Sequence, residues 1–144
     1  MKDTLKVGLT HTFRFKIPES KTVPHLYPES GMFREMPAVL ATGFMVGLME
    51  WACIEALRPH LDWPVEQTLG THVSFSHEAA TPPGLTVTIS VRLAKIEGRK
   101  LEFDVEAHDG IDRISVGRHE RFVIDAARFN AKVRDKAARV APGS

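Results

Sequence analysis

Ala38-Val-Leu-Ala-Thr-Gly-Phe-Met-Val-Gly-Leu-Met-Glu-Trp-Ala-Cys-Ile-Glu-Ala-Leu-Arg58 is the stretch that decides the fold. It is rich in helix formers and is followed by Pro64 a few residues past its end, so one long helix is expected here. Phe44, Met45, Val46, Leu48, Met49, Trp51, Ala52 and Ile54 cover most directions around the helix axis. Such a helix must be wrapped rather than laid on a surface. Its charge-free run, Ala38 to Met49, falls short of the roughly 20 apolar residues of a bilayer span, so it reads as a core helix.

The flanking sequence supplies the wrapping. Upstream, Thr10 to Ile17 alternates His11, Phe13, Phe15 and Ile17 with Thr10, Thr12, Arg14 and Lys16, the pattern of a half-buried strand. Prolines at 18, 24, 28 and 37 deny residues 18–37 a long helix or a central strand, which leaves an ordered, lid-like loop. Downstream, four strands are expected at Thr71 to His77, Leu85 to Leu93, Leu101 to Ala107 and Asp112 to Ile124. Pro82-Pro83-Gly84, Glu97-Gly98 and Asp109-Gly110 separate them as breakers. The last strand breaks its own pattern, because Arg118 and Glu120 share parity with Ile114, Val116, Phe122 and Ile124; a bulge near Gly117 or a polar pocket accounts for that. A short basic helix from Ala126 to Arg139 and a flexible tail over 140–144 complete the chain. The class is α+β, an antiparallel meander curled around one apolar helix, and its exposed sheet edges favour a homodimer.

Composition sets the outer bounds. The 144 residues suffice for one domain, 1–144, and 43% hydrophobic residues with 26% charged ones can bury a core. Nineteen basic against eighteen acidic residues give no electrostatic footprint for nucleic acid or an anionic membrane. One cysteine, Cys53, and an N-terminus without a long apolar stretch favour a reducing cytoplasm.

Glu50 is the anomaly in the helix, the only charge between Glu35 and Glu55. An apolar setting demands that a carboxylate be neutralised, hydrogen-bonded or turned to a wet cavity. Gly43, Gly47, Glu50 and Ile54 share one helical stripe, so two positions without side chains lie over the carboxylate's face and leave room for a substrate or a close strand. Thr42 reads first as an N-cap, with a hydroxyl lying along the Glu50 side as the alternative. His77 ends a strand beside a stiff turn, a position fit for proton transfer. His72 and His77 point to opposite faces of a strand, so no zinc site is expected. Cys53 reads as a small buried hydrophobe rather than a nucleophile. The chain has no Gly-x-Ser-x-Gly elbow, phosphate loop or dinucleotide fingerprint.

His25-Leu-Tyr-Pro-Glu-Ser30, Thr42-Gly-Phe-Met-Val-Gly-Leu-Met-Glu-Trp-Ala-Cys53, Leu69-Gly-Thr71, His77 with Ala79-Ala-Thr-Pro-Pro-Gly-Leu-Thr-Val-Thr88, His108-Asp-Gly110, His119-Glu-Arg121 and Phe129-Asn-Ala-Lys-Val-Arg134 resemble the fluoroacetyl-CoA thioesterase family over nearly the whole chain. The resemblance implies the hot-dog fold, a homodimer, and hydrolysis of a short acyl-CoA thioester, with fluoroacetyl-CoA the leading candidate. Coenzyme A then enters as part of the substrate, and no separate cofactor or metal is implied. It further implies Thr42, Glu50 and His77 as catalytic positions, with Thr42 hydrogen-bonding to Glu50. Gly70 and Arg121, with Phe33, Met36 and Val39, are implied as substrate-facing. Glu50 is nucleophile or general base, His77 moves protons, including one next to the carbonyl of a fluorinated acyl group, and the Gly70 N–H polarises the thioester. Met36 replaces a phenylalanine gate of the family, which loosens the expected discrimination against unfluorinated acetyl-CoA. A non-catalytic acyl-CoA binder and a hydratase or dehydratase on the same fold stand as alternatives.

Overall fold

The computed structural model describes residues 1–140; residues 141–144, most of the expected tail, lie outside it. Strand β1 (Thr10–Lys16) begins the sheet, and the chain then crosses the proline-rich segment. That segment holds single helical turns at Glu19–Lys21 and Val23–His25 and the four-residue helix α1 (Gly31–Arg34), capped by the Ser30 hydroxyl, which accepts from the Phe33 N–H. The Val23 N–H donates to the Val39 carbonyl and the Ala41 N–H to the Lys21 carbonyl, which ties the segment to the start of the long helix.

That helix, α2, runs Thr42–Leu57 rather than from Ala38, because Ala41 is extended and takes the N-cap position. Four strands and a helix follow: β2 (Glu66–Phe75), β3 (Thr86–Glu97), β4 (Lys100–His108), β5 (Arg113–Asp125) and α3 (Ala126–Ala138). The sheet is antiparallel in the order β1-β3-β4-β5-β2. Only β3, β4 and β5 form a meander. The chain after β2 crosses back over the helix start, so β2 becomes an edge strand beside β5 rather than a neighbour of β3.

One face of α2 fills the concavity of the sheet. Met45, Leu48, Met49, Ala52, Cys53, Ala56 and Leu57, spaced three and four apart, are buried against Val87, Ile89, Val91, Leu93, Leu101, Phe103, Val105 and Ala107. Each large side chain removed from water here contributes about 1.5–3 kcal/mol. The helix is therefore not wrapped all round: Thr42, Gly43, Gly47 and Trp51 on its other side are exposed within one chain.

The irregular last strand has its explanation in a bulge, placed at Ile114 rather than near Gly117. Ala107 faces Ser115 and His108 faces Arg113, so Ile114 is an extra residue on β5. Both Ile114 and Ser115 are buried, and parity flips beyond them. The inward residues are then His119, Arg121 and Val123, while Val116 and Phe122 face out. A second extra residue, Thr71, lies on β2 between the pairs Gly70–Arg121 and His72–Glu120.

Candidate active site

The inward polar residues of β5 meet Glu50 from α2. Arg121, 3% exposed, donates from Nη1 to Glu50 Oε1 at 3.1 Å. Its Nε donates to Thr68 Oγ1 and its Nη2 to the Thr68 carbonyl, both at 2.8 Å. Thr68 lies on β2, so the guanidinium is fixed by the neighbouring strand and offers one N–H to the helix. The carboxylate it holds is 38% exposed, facing an open side rather than the core. Gly70 completes this cluster: a Cβ built on it lies 2.6 Å from Glu50 Oε1. A side chain there would occupy the carboxylate's place, so the glycine is required by the approach of Glu50 and not by backbone angles.

A second cluster forms at the helix start. Thr42 Oγ1 lies 2.8 Å from His77 Nδ1. His77 stands two residues past the end of β2, and its backbone is held on both sides, the Ser76 N–H donating to the Val116 carbonyl and the Glu78 N–H to the Ile114 carbonyl. Burial lowers the His77 pKa from its ordinary value, with the Ala79 backbone acting in the opposite sense. Its Nε2 is buried and has no hydrogen-bond partner. A buried imidazole nitrogen without a partner is uncommon in a folded chain and sets His77 apart from the other polar side chains around it. Val23, Val39, Leu40, Ala79 and Ala80 join Thr42 and His77 around a cavity of about 300 Å³.

The sequence-derived site residues therefore gather as two groups: Glu50, Gly70 and Arg121 in one, Thr42, His77 and Val39 in the other. Two expectations for Thr42 are corrected. It is the first helical residue, not the N-cap, and within one chain its hydroxyl meets His77 instead of Glu50. The reason is geometric, since eight residues of α-helix separate Thr42 and Glu50 by about 12 Å along the axis. Of the two helix glycines, Gly43 receives Leu26 of the lid, whose methyl carbons lie 3.2 Å from a Cβ built there, while nothing approaches Gly47 within 4 Å. Space over Glu50 is thus left open at Gly47 and closed by the lid at Gly43. Phe33 packs its ring against Tyr27 at 5.8 Å, and Met36 is 48% exposed; neither lines the Thr42–His77 cavity. Burial pushes the Cys53 thiol up to about 12, so it stays protonated and unreactive.

His119 and Thr68 were not singled out from sequence. The signal that finds His119 is the parity flip on β5, since once Arg121 faces inward His119 does too; Thr68 is found only through its bonds to that guanidinium. Among the described residues no group of three or more His, Cys, Asp or Glu side chains is arranged to hold a metal ion, and no helix is long and apolar enough to cross a membrane.

Comparison with known proteins follows the same lines. The model of the fluoroacetyl-CoA-specific thioesterase family, FlK, matches residues 19–127. The fluoroacetyl-CoA thioesterase of Streptantibioticus cattleyicolor is 57% identical over 136 residues, which span 94% of this chain and 97% of that protein. Among solved structures, a phenylalanine-to-alanine mutant of FlK in complex with fluoroacetate and CoA matches with a TM-score of 0.85 at 56% identity, covering 88% of this chain and 100% of that one. A hot-dog-like protein from Thermanaerovibrio acidaminovorans matches with a TM-score of 0.76 at 21% identity, covering 92% and 93% of the two chains, which speaks for the hot-dog fold alone.

Proposed function

The chain belongs to the fluoroacetyl-CoA-specific thioesterase family, and from that premise we propose that it hydrolyses fluoroacetyl-CoA, with Glu50 attacking the thioester and His77 moving the proton. It is an acyl-CoA thioesterase of the hot-dog fold. The observation that carries the assignment of roles is the ion pair between buried Arg121 and half-exposed Glu50: a carboxylate in a largely apolar helix is held on one oxygen by a fixed cation, which leaves its other oxygen for chemistry.

One water is consumed and the products are the free acid and the CoA thiol. Glu50 either takes a proton from the attacking water or attacks the carbonyl carbon itself, forming a mixed anhydride that the water then hydrolyses; in both routes the electron pair of the C–S bond leaves with sulfur. His77, its ring neutral through burial, takes up the proton that the water releases and passes it on to that sulfur, and Thr42 fixes its ring through Nδ1. The Gly70 N–H, on the strand that borders the carboxylate, polarises the carbonyl. The cavity beside Val39 receives the small acyl group. Coenzyme A serves as part of the substrate, with no further cofactor required.

The separation of Glu50 from the Thr42–His77 pair supports a homodimer in which each site draws on both subunits. β2 is an edge strand, and residues 70–74 along it are exposed in the single chain. An antiparallel pair of β2 strands centred between Val73 and Ser74 would set Gly70 of one copy across from His77 of the partner subunit, with Glu50 beside Gly70. The pairing would also cover the exposed Val73 and the bare side of α2. A reducing, cytoplasmic setting is the reading that the lone, buried Cys53 supports.

Thiol release from fluoroacetyl-CoA and acetyl-CoA, followed with a colour reagent, tests the assignment. Wild type should release thiol and Glu50→Gln should lose at least about 10²-fold in kcat. Binding without thiol release at high enzyme would instead favour an acyl-CoA binding protein.

A further inference from the structure

We propose that His119 is a positioning residue for the hydrolysis, its Nε2 lone pair holding the Arg121 guanidinium against Glu50. The inference rests on the reading of Glu50 as the group that attacks the thioester. His119 is 0% exposed, the one fully buried imidazole among the described residues. Its Nδ1 lies 2.8 Å from the His72 carbonyl of β2. A carbonyl oxygen only accepts, so Nδ1 carries the proton and Nε2 of the neutral ring is left as an acceptor. Arg121 Nη1 donates to that Nε2 at 3.0 Å, and the same Nη1 donates to Glu50 Oε1.

The arrangement is a chain of fixed parts ending on a reacting one. The His72 carbonyl sets the ring, the ring sets Nη1, and Thr68 sets Nε and Nη2 of the same guanidinium. Three of the four acceptors around Arg121 thus belong to the sheet, and the fourth is the carboxylate on the helix. Without the Nε2 lone pair, one Nη1 hydrogen loses its acceptor, and the edge of the guanidinium that faces Glu50 is free to turn. A side chain that merely filled this space would need no lone pair there, and an imidazole placed beside a cation is a poor choice for filling alone.

Protonation reverses the contact. An imidazolium presents N–H at both nitrogens, so Nε2 becomes a donor aimed at a cation and the hold on Arg121 is lost. The groups facing the ring are Arg121 on its own strand, Glu50 from α2, the His72 carbonyl and the Phe75 ring, centred 6.0 Å away, from β2, and Phe103 opposite it on β4. Glu120, the adjacent residue, is engaged with Lys100 at 3.4 Å. Burial chiefly, with the Arg121 charge also contributing, lowers the pKa of His119 from its ordinary value, so the ring is the neutral acceptor at physiological pH.

The test is steady-state kinetics of the full chain on fluoroacetyl-CoA as a function of pH, for wild type, His119→Phe and His119→Gln. The phenylalanine keeps the volume and removes the lone pair; kcat should fall by about 10²-fold with KM little changed, as for a reacting group displaced by about an ångström. Glutamine restores an acceptor that does not titrate, so it should recover most of kcat. The acid limb of its profile should be less steep than wild type by one proton. Wild-type kcat in His119→Phe, a glutamine variant no better than the phenylalanine one, or an unchanged acid limb in His119→Gln would each overturn the proposal. Should His119→Phe not fold, the limb of His119→Gln decides. A wild type that releases no thiol would refute the thioesterase reading itself, whereas an active wild type matched by an equally active His119→Phe refutes only the role of His119.

Discussion

Replacing Gly70 by alanine separates the site from the fold. The added Cβ would stand 2.6 Å from Glu50 Oε1, 3.2 Å from His119 Cε1 and 3.5 Å from Arg121 Nη1. Only the first contact is prohibitive. To reach the 3.4 Å at which ordinary contact begins, the carboxylate oxygen must retreat by roughly 0.8 Å. It can do so cheaply, because it ends a flexible side chain that is 38% exposed. The retreat is towards the open side and away from the guanidinium, so the 3.1 Å hydrogen bond to Arg121 is stretched. A displacement near one ångström in a reacting group costs up to about 10²-fold in rate. The expected outcome is therefore a kcat on fluoroacetyl-CoA lowered by about 10²-fold with a melting temperature within roughly 2 °C of wild type. Gly117→Ala supplies the contrast: its Cβ would collide with the Ser74 backbone, so that variant should lose stability through the β2–β5 pairing. Unchanged kcat in Gly70→Ala would refute the placement of Glu50 as the reacting group.

Other outcomes can be checked alongside it, the first resting on the family resemblance, since Met36 does not line the Thr42–His77 cavity. Met36→Phe should raise the ratio of kcat/KM for fluoroacetyl-CoA over acetyl-CoA by about tenfold, as one added apolar contact allows; an unchanged ratio in competing-substrate kinetics would place the discrimination elsewhere. Asp109 accepts from the Thr81 hydroxyl and from the Ile111 and Asp112 N–H groups, joining the β4–β5 turn to the loop that carries His77. Asp109→Ala should cost about 2 kcal/mol, several degrees in thermal melting, by leaving those donors unpaired. His77 and His119 both titrate below their ordinary value because burial disfavours the charged ring. The unfolded chain then binds more protons than the folded one as pH falls below about 6.5. Their contribution to stability is full above that pH and is lost on acidification through the folded values, and the His77→Gln, His119→Gln double variant should flatten that part of a urea-midpoint profile.

Much of the fold was legible in the sequence because it is written in periodicity. The alternation of Phe13 and Phe15 in β1 and of Val87, Ile89, Val91 and Leu93 in β3 fixed the buried faces, and the breakers at Gly98 and Gly110, both at positive φ, fixed the turns. The position of β2 was not legible, since pairing with β5 is a long-range choice that local pattern does not encode. Nor was the inward face of β5, where the extra residue at Ile114 exchanges Val116 and Phe122 for His119 and Arg121. Glu50 could be found as a charge without company in an apolar helix. Arg121 came only through the family resemblance, because by residue pattern alone it reads as one more surface cation until the bulge turns it inward. Thr42 illustrates the remaining limit: its residue type fits both a cap and a hydroxyl turned towards another side chain, and only the structure shows Ala41 in the cap position and the Thr42 hydroxyl against His77.

The central claim is that Glu50 of one copy works with His77 of the other, and mixing two inactive variants tests it most directly. If the proposed homodimer forms, the Glu50→Gln and His77→Ala chains, unfolded together and refolded at equal ratio, should give hybrids as about half of all dimers, each with one unaltered site of two. About a quarter of wild-type thioesterase activity should then return. Activity no greater than the sum of the two separate variants, in a sample whose hybrids are verified by native mass spectrometry, would contradict the account.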